Sequence, residues 1–412
     1  MPAESGHDGP LDPRIPRRFE TYAALRNLRF GDAFLLLFYL HDLDLGLAEA
    51  GALLALEKWV LMALEVPLAV VADRVGRRRT LMLAFFVTAV ALAGLAWAAG
   101  AAHPLPLATA AVTVMGVGEA LRTGTHKALM LDWLGRVGAS AQKTSVVARQ
   151  RMWSKTAAGV AALGGGLMVW STGRFAPLFW ASVLPALLVV PLIATYPAML
   201  DAVPRAAIAS GAPRPRPWAL LTRPGVLAML VPSVLFESQV KLALAWLQPF
   251  FEQAAGRVDL VVVGGVGAVA LGAYGFATGV LAGGASILGL GAAARWGAAV
   301  ALRRAHGAAA VALAVTALGL ACGLEPVGLA ALAILAALQN ARRPLFVAAL
   351  DEVMDGAWRA TTLSIESQLR GALYGLSAVA LGALADATGV LWTGFAVLAV
   401  GPGVAWLLAR RG

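Results

Sequence analysis

Residues 69–79 read Ala69-Val70-Val71-Ala72-Asp73-Arg74-Val75-Gly76-Arg77-Arg78-Arg79, a strongly basic link set between two long apolar blocks. The blocks, near 48–71 and 80–100, each have the roughly twenty residues that a helix needs to cross a ~30 Å hydrocarbon core. A short link crowded with arginine between two such blocks is what the cytoplasmic side of a multi-pass membrane protein carries. This stretch therefore sets both the class of the fold and its direction.

The rest of the chain repeats the pattern. Apolar residues make up 59% of the 412 and charged ones only 14%, with a mean hydropathy of +0.76. Soluble domains carry about 25% charged residues, so a single soluble core is excluded. Apolar blocks fall near 24–42, 48–71, 80–100, 106–129, 146–170, 175–197, 224–247, 266–294, 306–323, 327–349, 361–384 and 389–409. These predict an all-α membrane protein of twelve spans. The eighth block sits in a Gly-rich run, Leu260 to Ala294, that is longer than one span needs. Its first part reads as an outer loop or a re-entrant piece.

Orientation follows from the asymmetry of Lys and Arg. With the N-terminus inside, the inner segments hold Arg14, Arg17, Arg18, Arg26, Arg29, the Arg74–Arg79 cluster, Arg136, Lys143, Arg205 to Arg223, Arg295, Arg303, Arg304, Arg359, Arg410 and Arg411. The outer links hold only Arg174 and Arg257. Both termini are expected in the cytoplasm. The net charge of +10 is thus spent on membrane orientation, and nucleic acid is not an expected partner. Residues 1–23 lack an apolar signal core and read as a cytoplasmic tail. The lone Cys322 excludes an intrachain disulfide and any cysteine metal cluster.

The longest polar link covers residues 198–223 and divides a half over 24–197 from a half over 224–412. An internal echo fits duplication: Ala128 to Leu134 (ALMLDWL) resembles Val347 to Val353 (VAALDEV), which sets Asp132 opposite Asp351. Two six-span halves are expected, related by an axis along the membrane normal.

From Asp73 onward, the basic link resembles the loop signature of the major facilitator superfamily: Asp-Arg, one residue, then Gly-Arg-Arg. Ala69 stands where the family pattern has glycine. Leu64-Glu65-Val66-Pro67 and Arg359-Ala360-Thr361-Thr362-Leu363-Ser364 also resemble bacterial members of that family. The resemblance implies a monomeric secondary transporter in a bacterial inner membrane. It also implies that Asp73 meets the start of the eleventh span as a conformational latch, with Arg74, Gly76, Arg77 and Arg78 in the same loop. A carboxylate there accepts from the N–H groups of a helix N-terminus. The span-five antiporter proline pattern is replaced by Ala162-Leu163-Gly164-Gly165-Gly166, and the arginine of span-four drug exporters, due near Val112, is missing. Both departures speak against drug/proton antiport.

Ionisable residues inside spans are costly and persist where they face a cavity or a partner. Here they include Asp32, Glu57, Lys58, Glu65, Glu119, Arg122, Arg149, Arg151, Lys155, Glu237, Lys241, Arg342, Arg343, Glu366 and Arg370. Glu119 with Arg122 and Glu237 with Lys241 have the spacing of self-satisfied pairs. Glu57, Lys155, Arg342 and Arg370 have no evident local partner and are read as facing a shared cavity. The excess of cations in spans four, five, ten and eleven points to a solute that is anionic or zwitterionic. Arg122, Lys155, Arg342, Arg370 and Trp153 are the candidate solute contacts. Glu57, Glu119 and Glu237 are the candidates for coupling to a proton.

His126 and Met130, four apart, could offer a soft-metal pair, but a histidine near a helix end is more simply a packing or loop contact, so no metal site is assigned. The Gly runs at 164–166 and 283–284 read as close helix packing. There is no Walker motif and no nucleophile with an orienting base, so neither ATP hydrolysis nor an enzyme is expected, and no cofactor. The competing readings are a multidrug, metal or metallophore carrier on the same fold and a non-transporting receptor or assembly partner.

Overall fold

The computed structural model describes residues 14–123, 125–137, 143–197, 225–353 and 356–409. Among these residues every regular element is helical. The helices group into twelve passes that follow the apolar blocks. The first is discontinuous: a helix Arg14–Asn27, an unwound stretch, a 3-10 turn Asp32–Phe34, a helical turn Leu35–Leu37 and a π turn Phe38–Asp42. The second and third are Leu47–Val75 and Arg77–Ala98. The fourth is split into Pro104–Arg122 and Thr125–Arg136. The fifth and sixth are Lys143–Thr172 and Ala176–Ala194. The seventh is split at Trp246 into Val226–Ala245 and Leu247–Gly256. The remaining five are Val266–Trp296, Ala298–Ala321, Glu325–Val353, Gly356–Thr388 and Trp392–Leu408.

Seven helices among the described residues are long and apolar enough to cross a membrane on length and composition alone. The second, fifth and tenth spans fall outside that group because they carry ionisable residues, such as Glu57, Lys155 and Arg342, within their length. The eighth span is one helix over Val266–Trp296, and what precedes it is a turn. No re-entrant piece is formed there.

The Arg-rich link between the second and third spans is a tight hinge. Gly76 has φ +106° and ψ 132°, which an L side chain tolerates poorly, so glycine lets the second span reverse directly into the third. The same device recurs at Gly297 (φ +78°, ψ 152°) between the eighth and ninth spans. Its recurrence at the matching place supports two halves of common plan.

The halves meet along two seams, second span on eleventh and fifth span on eighth. At the second seam the backbones touch: a Cβ on Gly166 would come 2.5 Å from the Ala268 carbonyl, and one on Gly272 would come 2.5 Å from that of Ala162. Gly166 is thus a packing glycine, as expected. Gly283 and Gly284 are not, since a Cβ there would meet nothing within 4 Å. Away from the Arg-rich links, polar ties also cross between halves. Asp386 of the eleventh span accepts from the N–H groups of Leu47 (3.1 Å) and Ala48 (2.8 Å) at the start of the second. His41 Nε2 lies 2.7 Å from a Glu252 carboxylate oxygen.

A central cavity with charged walls

Where the first span unwinds, its backbone polar groups need new partners. Phe30 N–H donates to Ser182 Oγ (2.9 Å), Leu36 N–H donates to Gln248 Oε1 (2.7 Å), and Gln248 Nε2 donates to the Asp32 carbonyl (3.3 Å). Gln248 belongs to the seventh span, itself broken two residues earlier. Irregular backbone at membrane depth is tolerated where it lines a cavity. A cavity of about 540 Å³ does lie there, between the first, second, fourth, seventh and eleventh spans. That volume suits a small organic molecule.

Its wall holds four cations, Arg26, Arg29, Lys58 and Arg122, and three carboxylates, Asp32, Glu57 and Glu119. Glu119 is the hub. It takes Arg29 Nη1 at 3.2 Å and a forked contact from Arg122, whose Nε lies 3.1 Å away. Arg29 also reaches Asp32 (3.0 Å), and Lys58 reaches Glu57 (2.6 Å). Arg26 makes no ion pair or hydrogen bond among the described residues, so the wall carries one cation in excess. Two further cavities adjoin on the side of the Arg-rich links. One shares Lys58 and Tyr374 with the central cavity, the other Arg26, Asn27 and Arg122. The polar cavities therefore run from mid-bundle toward the Arg-rich end, where Gln368 Nε2 donates to Glu65 Oε2 (3.0 Å) across the halves, while Asp386 and His41 tie the far end.

A second charged cluster lies inside the C-terminal half. Arg342 is fully buried, with Nη1 3.1 Å from Glu237 Oε2, Nη2 on Ser233 Oγ, and its guanidinium over the rings of Phe236 (4.9 Å) and Phe346 (5.0 Å). Glu366, also fully buried, accepts from Ser233 Oγ (2.9 Å) and Arg343 (3.1 Å), with Arg370 3.6 Å away. Lys241 stands 3.3 Å from Glu237.

The sequence-derived candidates divide accordingly. Arg122, Glu57 and Glu119 line the central cavity. Arg342 and Glu237 do not; they satisfy each other in the buried cluster. Arg370 is tied to Glu366 and lines the adjoining cavity beside Lys58. Lys155 lines a separate crevice between the fifth and eighth spans, with Phe276 and the open Gly283 and Gly284. Trp153 is exposed on the fifth span. Arg122, Lys155 and Arg342 thus do not converge on one cavity. The Asp73 side chain and its expected partner region at Arg359 lie outside the described side chains, as do Asp132 and Asp351. Arg74 is exposed, and Arg78 Nη1 donates to the Tyr196 carbonyl (2.7 Å). His126 stacks on Tyr22 (ring centroids 3.5 Å apart), and its nitrogens meet Tyr196 Oη (3.2 Å) and Gln150 (3.3 Å), a packing role.

Sequence reasoning misses Arg26, Arg29, Gln248 and Tyr374 on the cavity wall, because Arg26 and Arg29 read as charges of the inner link. Their spacing with Asp32, three residues apart each, is the only local signal, and the structure breaks the helix after Asn27 so that Arg29 and Asp32 reach the cavity from irregular backbone and a 3-10 turn.

The chain matches the family model described as Major Facilitator Superfamily over residues 30–378. A mutant of the nucleoside transporter NupG superposes with a TM-score of 0.77 at 12% identity, covering 96% of this chain and 99% of that one. The xylose transporter XylE from E. coli, in an inward open conformation, gives 0.72 at 14% identity, covering 96% of each chain. FucP in the outward conformation gives 0.58 at 16% identity, covering 95% and 98%. No curated protein sequence matches. At these identities the solved structures share the fold.

Proposed function

Because this chain belongs to the Major Facilitator Superfamily, a family of secondary transporters and not of enzymes, we propose that it moves a polar organic solute carrying an anionic group, as an anion or a zwitterion, by alternating access around the central cavity. The observation that carries this reading is the cavity wall, where one cation, Arg26, stands in excess of the ion pairs. A partly buried charge within a span and without a partner is under-solvated, so a ligand that completes it is bound with gain. An uncharged solute, such as the xylose that the XylE relative is named for, would leave Arg26 uncompensated.

Coupling to a proton rests on Glu57. Protonating Glu119 would break contacts to two guanidiniums, and Glu237 lies away from the cavity. Glu57 faces the cavity with one lysine as partner, and a proton there frees only the Lys58 ammonium. We read the carrier as a monomer of a bacterial inner membrane from its family resemblance, and the one-sided Lys and Arg count supports both termini and residues 198–223 in the cytoplasm. Labelling of a cysteine at position 210 from outside intact cells, in a Cys322-free variant, would overturn that orientation.

Counterflow in liposomes tests the transport reading. Amino acids, organic acids and phosphate esters are compared with neutral sugars and nucleosides. Exchange of a charged class is expected, and Glu57→Gln keeps that exchange but loses accumulation driven by a pH gradient. Exchange confined to neutral solutes would refute the anionic reading, and unchanged pH-driven accumulation in Glu57→Gln would refute Glu57 as the coupling group.

A further inference from the structure

Beside the central cavity lies a second one of about 320 Å³, formed by the first, fourth and fifth spans and reaching toward the Arg-rich end. Its polar lining includes Arg26, Arg122, Arg151, Gln150, Ser154 and His126, beside Asn27, whose Nδ2 is given to the Ala23 carbonyl, and no carboxylate is among its lining residues. The charges on that wall are unequally matched. Arg122 is held by Glu119 from the central side, and Arg151 donates to the neutral Asn340 (3.1 Å). Arg26 is partly buried and has no hydrogen bond or ion pair among the described residues; Arg122, Arg29 and Glu119 lie within its electrostatic reach. Two guanidiniums therefore face this space without an acid. Gln150 is spent on His126, while the Ser154 hydroxyl has no partner among the described residues and can donate.

Guanidinium forks match the oxygens of carboxylate and phosphate in paired hydrogen bonds. A monocarboxylate would match Arg26 and leave Arg151, which is exposed at the mouth of the cavity, to solvent and Asn340. A phosphate monoester carries about −1.5 to −2 charge at neutral pH and three acceptor oxygens, enough for Arg26, Arg151 and the shared Arg122 together. We propose that this side cavity is a phosphate subsite and that the solute of the central cavity is a phosphorylated organic molecule, its phosphate held by Arg26 and its polar body in the adjoining 540 Å³. The solute class rests on the transport reading above; occupancy of the subsite by phosphate does not.

The test uses the full chain in nanodiscs of zwitterionic lipid, titrated with inorganic phosphate, with acetate at equal ionic strength as comparator and binding read by calorimetry and by thermal unfolding. Phosphate should bind saturably and raise the unfolding temperature, while acetate should not. Arg26→Gln should weaken phosphate binding about tenfold or more, and Arg26→Lys, which keeps the charge and loses the fork, should fall between. Size-exclusion profile and helicity check that both variants fold. Equal phosphate affinity in Arg26→Gln and the parent, or equal response to acetate and phosphate, would overturn the proposal. Loss of phosphate binding when the discs contain phosphatidylglycerol would also overturn it, by assigning the cavity to a lipid headgroup. Absent phosphate binding alongside intact counterflow of a carboxylate would sink the subsite and leave the transport reading standing. Phosphate binding without counterflow of any solute would do the reverse.

Discussion

The two charged clusters of this protein are built from the same residue types, yet one is open and the other sealed. In the N-terminal half, Glu119 and Arg122 keep side-chain exposures of 15% and 16% and border a cavity. In the C-terminal half, Arg342 and Glu366 are at 0% and joined through Ser233, with Arg342 against two aromatic rings, while the outer members Lys241 and Arg370 reach a cavity. The backbone explains the difference. The first and fourth spans are interrupted beside Arg29 and Arg122, which opens space where the charges sit. The tenth span runs unbroken from Glu325 to Val353 past Arg342, so its guanidinium packs inside the half. A buried charge in this protein thus has two settings, and a break in the helix opens one of them at Arg29 and Arg122, although Glu57 and Lys58 reach the same cavity from the unbroken second span.

The largest expected effect lies in the sealed cluster. Glu237→Leu leaves the fully buried Arg342 with Ser233 as its hydrogen-bond partner, and breaking such a buried pair costs about 3–5 kcal/mol. Unfolding in detergent should shift to markedly lower temperature, whereas the double variant Glu237→Leu/Arg342→Met, which removes both charges, should recover most of the loss. A single variant as stable as the parent would show that the cluster is hydrated and break the comparison.

The open cluster should respond in the opposite sense. Glu119→Gln leaves Arg29 with Asp32 and removes the carboxylate of Arg122 in a space that water reaches, so its stability cost should stay at about 1 kcal/mol. Transport should suffer more: losing the group that positions both arginines should lower counterflow about tenfold, the equivalent of about 1.4 kcal/mol. Unfolding temperature and counterflow measured on the same preparation check this. A large loss of stability with proportionate loss of transport would make Glu119 a structural residue like Glu237.

The fold is almost wholly legible in the sequence because membrane spanning is written in composition. Block length, the Arg asymmetry and the Asp73–Arg79 hinge each report a local constraint that needs no knowledge of packing. The site is legible only in part. Charge within a span marks Glu119, Arg122, Glu57 and Arg342 alike, but depth along the chain says nothing about which way a side chain turns. Lys155 and Arg342 are misplaced by the sequence for that reason: one faces a lateral crevice and the other a private partner on the seventh span. Arg26 and Arg29 are hidden by the opposite error, because arginine near a span end resembles an orienting charge until the break at Leu28 to Gly31 is seen to lift it into the cavity.

The smallest effect concerns the two ends of the bundle. The sequence places a carboxylate latch at Asp73, facing the start of the eleventh span; the structure has the same chemistry at the other end, where Asp386 of the eleventh span caps the first N–H groups of the second. A carboxylate on a helix N-terminus contributes about 0.3–1 kcal/mol, so each latch should bias the balance between conformers by roughly two- to fivefold. Asp386→Asn should loosen the end that Asp386 and His41 tie, and a cysteine placed beside Ala48 should react faster with a membrane-impermeant reagent by about that factor. If Asp73 holds the opposite end in the opposite conformer, Asp73→Asn should slow the same reaction, and the double variant should return it near the parent rate, since the two terms add when the sites are distant. Both variants shifting the rate in one direction would show that Asp73 and Asp386 stabilise the same state, and the reading of Asp73 as the counter-latch would fall.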